Sequence, residues 1–438
     1  MLAASCFLVL GRLNPARSEG TDTRYPVFSV FPTAVADTPG HGSAQIPDEG
    51  RIKGIGVNKG DAAQLAATPP MGWNSWNWFG KNHINEKTVK EVIDAMVQEG
   101  LRDAGYEYVV IDGGWRDTVL APDGGLRVNP VNFPHGIKVL ADYAHSKGLK
   151  LGLHTAAGTC DCGGDRVGGY GHEETQVQQF VDWGIDFIKL DKCKMDNGWN
   201  EALVKEVYTK WSRLLKDCGR AIVFSISAYK FRDWNPEVSQ LSRTTGDISA
   251  KSNGGAVFDT LARAKKYRNS VMKIATLNNA SAQYAGNGYW NNPDMLSVGA
   301  QGLSVPQQQS EFALWCIMSA PLILGNDPRN MTPAERRIIL NTKAIAVDQD
   351  PTEQGKRISR DGYTEIWAKH LADGRVAVLL LNRNQYDSEQ MTLDFGRVGI
   401  SGKANVQRIY ADENLGEFTG SFSRSVPPQS SLFLIIGK

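Results

Sequence analysis

Two carboxylates stand where a pair of acids could do chemistry: Asp191, which ends the run Phe187-Ile188-Lys189-Leu190, and Asp247, which ends Arg243-Thr244-Thr245-Gly246. Cleaving a glycosidic bond with retention needs one carboxylate to attack the anomeric carbon and a second acid, about 5 Å away, to protonate the leaving oxygen. The nucleophile must stay ionised. Lys189, two residues before Asp191, shares its face of an extended strand, and a cation there lowers a carboxylate's pKa. The acid must hold its proton until it is used, and like-charge repulsion from an ionised Asp191 would raise Asp247, with Arg243 as an orienting partner. By spacing alone, both aspartates could equally cap the helices that follow or satisfy loop amides.

What must position them is a set of short apolar runs alternating with helical stretches, the pattern of a parallel βα architecture. Strand candidates recur at Met71–Trp76, Tyr106–Ile111, Leu149–His154, Asp186–Leu190, Ala221–Ile226, a short run ending near Asp247, Val271–Thr276 and Pro321–Leu324. Eight units over about 280 residues suit a (β/α)₈ TIM barrel better than a doubly wound sheet, and barrel strands end at the active-site face. The clearest helix follows Asn85, an N-cap, with Val89, Val92, Ile93, Met96, Val97 and Leu101 at helical spacing before Gly105. After Asp350-Pro351 the texture turns to alternating runs, Thr364–Trp367, Val376–Leu381 and Leu432–Ile436, which predict a C-terminal antiparallel β-sandwich domain. The expected division is a leader and flexible arm over 1–66, a catalytic barrel over 67–352 and the β-domain over 353–438.

Composition narrows the function class. A net charge of +1 over 438 residues leaves no electrostatic footprint for nucleic acid. No apolar run reaches the roughly 18 residues of a membrane span. Met1 to Leu10 is apolar but has no basic residue before it, with Arg12 and Arg17 after it, so it is a poor signal peptide. The 11 Trp and 45 Gly suit a sugar partner, since aromatic faces stack on sugar faces and Gly permits close backbone approach. His135, His145, His154 and His172 do not fall at ligand spacing for a metal hydrolase, and Cys160 with Cys162 lacks a partner set for zinc.

The strings Pro69-Pro70-Met71-Gly72-Trp73-Asn74-Ser75-Trp76, Lys189-Leu190-Asp191-Lys192-Cys193 and Arg243-Thr244-Thr245-Gly246-Asp247-Ile248 together resemble glycoside hydrolase family 27, the α-galactosidase (melibiase) family. The similarity runs over about residues 67–438 and includes Asn292-Pro293-Asp294-Met295-Leu296 and Ala320-Pro321-Leu322-Ile323-Leu324-Gly325. It implies a barrel with a C-terminal antiparallel domain, and double displacement with no metal and no cofactor. It puts the nucleophile on Asp191, the acid/base on Asp247 and its arginine companion on Arg243. Sugar contacts fall on Trp76, Asp112, Lys189 and Asp294, although Trp76 could be a barrel plug and Asp294 only a turn residue. The resemblance also implies a disulfide between Cys162 and Cys193, which would persist in an oxidising compartment and so points to export. Cys160, Cys218 and Cys316 are then expected to be buried thiols.

The sequence departs from the family where the sugar is read. Family members typically carry Asp-Asp-Cys-Trp where this chain has Asp112-Gly113-Gly114-Trp115, so one carboxylate that grips galactose hydroxyls is missing. His154 replaces a usual Tyr, and Ser227-Ala228-Tyr229 stands in the loop that usually carries Cys-Glu-Trp. The family's other disulfide would join the positions of Lys81 and Gly114, and both cysteines are absent together. The leading expectation is an exo-acting α-galactosidase. Its rivals are a β-L-arabinopyranosidase, an isomaltodextranase-like α-glucan hydrolase, or a catalytically dead carbohydrate-binding barrel. The oligomeric state is not legible.

Overall fold

The computed structural model describes residues 65–195, 199–249, 255–259, 269–286 and 288–437. All but the last two residues of the expected 1–66 arm lie outside them. Eight parallel strands form one sheet: β1 (Met71–Asn74), β2 (Tyr108–Ile111), β3 (Lys150–Ala156), β4 (Phe187–Asp191), β5 (Val223–Ser227), β6 (Leu241–Arg243), β7 (Trp290–Asn292) and β8 (Leu322–Leu324). Neighbours pair in sequence order from β1 to β7, and β8 pairs with β1. A parallel bridge between Leu296, just past β7, and Leu324 of β8 closes the ring. This is the expected (β/α)₈ barrel.

The period of two along each strand divides its side chains between two environments. Ile188 and Leu190 point outward and pack under the helices with Val109, Ile111, Leu151 and Leu153. Tyr108, Val110, Phe187, Val223 and Leu241 form a separate buried cluster inside the barrel. One step further along the same inward faces come Asp112, Lys189, Asp191, Ser225, Ser227 and Arg243. The apolar layer thus plugs the barrel beneath a polar layer at the strand ends.

After β1 come a single helical turn, Trp76–Phe79, and the first long helix, Glu86–Gln98, with the Asn85 side chain accepting from Thr88 N at 3.0 Å. It ends before the expected stop, and a 3₁₀ turn, Arg102–Ala104, leads into Gly105. Two strand expectations need correction. Val271–Thr276 is not a strand but part of the helix Val271–Asn279, capped by Ser270, with Val271, Met272, Ile274, Ala275 and Asn278 buried along one face. Its β-branched residues read as strand, and tertiary packing decides otherwise. The seventh strand is Trp290–Asn292, and the sixth ends at Arg243, four residues before Asp247.

The C-terminal part holds β9 (Lys356–Asp361), β10 (Thr364–His370), β11 (Val376–Asn382), β12 (Glu389–Asp394), β13 (Lys403–Arg408), β14 (Glu413–Thr419), β15 (Ser421–Val426) and β16 (Ser430–Gly437). Six of these form an antiparallel sheet ordered β14-β13-β16-β11-β10-β9, and β12 pairs with β15. Val378, Leu380, Leu393, Phe422 and Leu434 fill the sandwich core. Ala377, Leu379, Leu381 and Phe433, on the opposite face, join the barrel's outer core, against which the helix Val305–Ile317 lies. Lys369 is buried at this junction, where its ammonium donates to Ser319 Oγ (2.6 Å), Val347 O (2.5 Å) and Asp350 O (2.8 Å).

Candidate active site

The floor of the site stands on β2, β3 and β4. Asp191 ends β4, and its Oδ2 lies 2.9 Å from His154 Nε2, which donates to it. Its Oδ1 is buried with no hydrogen-bond partner, 3.9 Å from Lys189 Nζ. Burial alone would raise the Asp191 carboxyl, but the charge of Lys189 and the contact with His154 outweigh it and hold it below the usual range. Asp112, just past β2, accepts from Lys189 Nζ at 2.7 Å and from Asn74 Nδ2 at 3.0 Å. Against burial, Lys189 and His154 likewise keep it ionised. Lys189 is driven up: desolvation would lower it, but Asp112 and Asp191 prevail. His154 thus sits between two carboxylates, its Nδ1 4.0 Å from Asp112 Oδ1.

The disulfide expected from the resemblance is present between Cys162 and Cys193. Its sulfurs lie 4.0 and 3.9 Å from Asp191 Oδ2, and Cys162 also lines the cavity. His154, Asp191 and Cys193 converge closely enough to suggest a metal trio, but the Cys193 sulfur is committed to the disulfide and offers no thiolate. Cys218 and Cys316 are buried as expected, whereas Cys160 is partly exposed, because it lies in the loop that the disulfide ties down.

Across the cavity the arrangement changes. Arg243, the last residue of β6, is buried and places both terminal nitrogens 3.4 Å from Asp247 Oδ1. Its shorter contact, 2.9 Å, is with Asp294 Oδ2. Burial would lower the Arg243 guanidinium, but Asp294, Asp247 and Asp191 raise it. The Asp247 side chain is 46% exposed, against 9% for Asp191. Asn269 donates to the Asp247 carbonyl through its backbone N (3.1 Å) and its Nδ2 (3.2 Å).

One cavity of about 150 Å³ is lined by Trp76, Asp112, His154, Lys189, Asp191, Tyr229, Arg243, Asp247 and Asp294. All the residues singled out for catalysis or sugar contact therefore meet. Ser227, Lys81, Arg116, Asp161 and Met295 also line it and were not singled out as contacts. Ser227 was legible as a strand end, whereas the others carry no signal of their own. Ala228 does not line the cavity: it is buried, and its neighbours Ser227 and Tyr229 face the site instead. Tyr229 holds a left-handed backbone, φ 60°, and lies 3.7 Å through its hydroxyl from Cys162 Sγ. The charge of Asp191, then burial and Asp247, keep its phenol protonated.

The departure at 112–115 has a steric counterpart. A Cβ on Gly113 would stand 3.2 Å from Trp76 Cζ3, so the indole occupies the approach to that position. A Cβ on Gly114, at φ 110°, would meet the Lys81 carbonyl at 2.4 Å. The two positions that lack cysteines are thus adjacent, and Gly114 lets the backbones close without a bridge.

Residues 68–350 match the family model described as alpha galactosidase A, and residues 361–436 match that of the alpha galactosidase C-terminal beta sandwich domain. The chain is 37% identical over 378 residues to an alpha-galactosidase of Oryza sativa subsp. japonica, covering 85% of each. It is 38% identical over 379 residues to an alpha-galactosidase of Cyamopsis tetragonoloba, covering 85% of this chain and 83% of that one. The solved structure of alpha-galactosidase I from Mortierella vinacea superposes with a TM-score of 0.80 at 30% identity, over 85% of this chain and 98% of that chain.

Proposed function

This chain belongs to glycoside hydrolase family 27, the α-galactosidase (melibiase) family, and on that premise we propose that it is a retaining α-galactosidase that removes terminal α-D-galactose from oligosaccharides or polysaccharide side chains. The observation that carries the reading is the pairing, across one cavity at the strand ends, of a buried ionised carboxylate with a partly exposed one. Asp191 Oδ1, the oxygen that makes no hydrogen bond, attacks the anomeric carbon while Asp247 gives its proton to the leaving oxygen. Asp247, now a base, takes a proton from water, whose oxygen attacks the same carbon and releases Asp191. Two inversions give net retention. His154 and Lys189 share the charge of Asp191 before attack and receive it back at the end.

Trp76 offers its indole face to the sugar, and Asp112, Lys189 and Tyr229 offer groups to its hydroxyls. We assign the catalytic unit to 67–352 and the sandwich to 353–438, a division supported by the family-model matches over 68–350 and 361–436. The disulfide supports export, since such a bridge persists in an oxidising compartment. Among the described residues, no helix is long and apolar enough to cross a membrane.

The test is the anomer first released from 4-nitrophenyl α-D-galactopyranoside, followed by proton NMR before mutarotation. The α-anomer is expected. First release of β-galactose would overturn double displacement, and the absence of any turnover would overturn the substrate. Asp191→Asn is expected to lower kcat by about four orders of magnitude or more while leaving the circular dichroism spectrum unchanged.

A further inference from the structure

Asp294 lines the cavity, but its carboxylate is already occupied. Oδ1 accepts from the backbone N of Met295 at 2.8 Å. Oδ2 accepts from Arg243 at 2.9 Å and from the backbone N of Ile248 at 2.9 Å. Three of its four lone-pair directions are used within the protein. Both Oδ2 partners lead to one place, since Ile248 follows Asp247 and Arg243 is the guanidinium that faces Asp247. Two further bonds join the same loops: Thr244 N donates to Asn292 O at 3.0 Å, and Thr245 Oγ1 donates to Pro293 O at 2.7 Å.

The backbone of Asp294 is strained to make this connection. Its φ is 135°, a region that side chains other than glycine's rarely enter. Such a conformation persists only where its surroundings over-determine it. Here the Asn292 side chain accepts from Asp294 N at 3.0 Å, and Trp315 Nε1 donates to Asp294 O at 2.9 Å. One turn earlier on the helix Val305–Ile317, Glu311 Oε1 accepts from Ser297 N at 2.9 Å. Trp315 and Glu311, at i and i−4, thus grip the 294–297 segment from one helix face.

We infer that Asp294 is a positioning residue for the acid/base aspartate, held in its strained conformation by Trp315, and that its main task is not to bind the sugar. The inference rests on the proposed role of Asp247. Expelling an alkoxide-like leaving group requires Asp247 to stand within reach of the glycosidic oxygen, whereas a strongly acidic phenol departs with little help from a proton. A misplaced Asp247 therefore lowers kcat/KM on the first glycoside and spares kcat/KM on the second, whose later hydrolysis step still uses Asp247 as base and shows in kcat alone.

The experiment measures kcat and KM for full-length wild type, Asp294→Asn and Trp315→Phe on methyl and 2,4-dinitrophenyl α-D-galactopyranosides. For Asp294→Asn, kcat/KM on the methyl glycoside is expected to fall about 100-fold, through kcat, with less than about threefold change on the dinitrophenyl glycoside. Trp315→Phe keeps an aromatic ring in the core, leaves a small cavity and removes one donor, and the same pattern is expected at about tenfold. It also carries the test should Asp294→Asn not fold. An equal loss on both glycosides, expressed as a raised KM, would make Asp294 a sugar ligand and overturn the inference, as would unchanged kinetics in both variants. Because the readout is a ratio between leaving groups, it is taken on whichever glycone the wild type hydrolyses. Failure of wild type on galactosides alone would therefore count against the substrate and not against this role.

Discussion

The two sides of the cavity are built on different plans. On the side of the proposed nucleophile, Asp112, His154, Lys189 and Asp191 lie on or directly after strands β2 to β4, the aspartates and His154 buried and Lys189 nearly so, with each charge answered by another within 4.0 Å. On the side of the proposed acid/base, Asp247 and Asp294 stand in loops past β6 and β7, shared by one buried cation, Arg243, 2.9 Å from Asp294 Oδ2 and 3.4 Å from Asp247 Oδ1, and fixed besides by loop bonds: the Ile248 amide on Asp294 Oδ2 and two Asn269 donors on the Asp247 carbonyl. A group that must remain ionised gains from rigid strands and fixed countercharges. A group that must give up a proton and regain one gains from contact with solvent, and a loop affords it. The contrast teaches that both sides use a buried cation, but one sets it on rigid strands and the other adds loop conformation to it.

Removing a charge should therefore damage the nucleophile side most. Lys189→Met leaves Asp112 and Asp191 as buried carboxylates without their cation, and breaking a buried pair in this way costs about 3 to 5 kcal/mol. Urea unfolding at pH 7 is expected to register that loss. In the folded variant the Asp191 carboxyl is no longer held down by Lys189, so the acid limb of kcat/KM should move to higher pH, because the nucleophile works only above its own pKa. An acid limb that stays in place would mean that charge compensation is not what keeps Asp191 ionised, and the contrast would collapse.

A smaller effect is expected from the disulfide, which braces the same side without contributing charge. Cys162 and Cys193 are 31 residues apart, and closing a loop of that size contributes about 3.7 kcal/mol. Reduction, or the paired change to Ser, is expected to lower the melting temperature by several degrees. It should also reduce kcat more than it changes the pH of the acid limb. A moved limb would show that the sulfurs do more than exclude water from Asp191.

These two plans also explain what could be read in the sequence. Asp191 and Lys189 were legible because a strand has a period of two: once Phe187-Ile188-Lys189-Leu190 reads as a strand, the shared face follows, and the ion pair across it is a matter of distance. Asp247 was legible only as a residue after a short run, since β6 ends four residues earlier and the intervening loop has no period. The hold on Asp294 was not legible at all. Trp315 lies in the half of its helix, Phe312 to Ile317, that is apolar on all sides, where a tryptophan reads as core, and no local pattern marks an indole N–H that reaches a carbonyl 21 residues away. Val271–Thr276 misled for a related reason, because β-branched residues that pack one helix face resemble a strand when their partners are unknown. The missing carboxylate at Gly113 was visible as a departure, but that Trp76 leans over the position was not.

Glu311 gives the finest test of the contrast, because it supports the acid/base side without carrying charge to it. Burial pushes its carboxyl up to about 8, against the lowering effect of its bonds to Ser297, so it is largely a neutral acid at neutral pH. A carboxyl whose folded value is raised contributes its full stability below its ordinary value of 4.5 and loses it as pH climbs through about 8. Glu311→Gln retains an oxygen for Ser297 N and removes the ionisation. At pH 6 its turnover should lie within about twofold of wild type, the smallest effect of the series, since the hold on the 294–297 segment is kept. Its urea stability relative to wild type should rise between pH 5 and pH 8.5 by on the order of 1 to 3 kcal/mol, because the wild-type carboxyl ionises in the unfolded chain over that range while burial keeps it protonated in the fold. If the two proteins instead track each other across that range, Glu311 is ionised or solvated in the fold. The hold on the 294–297 segment would then depend on charge as well.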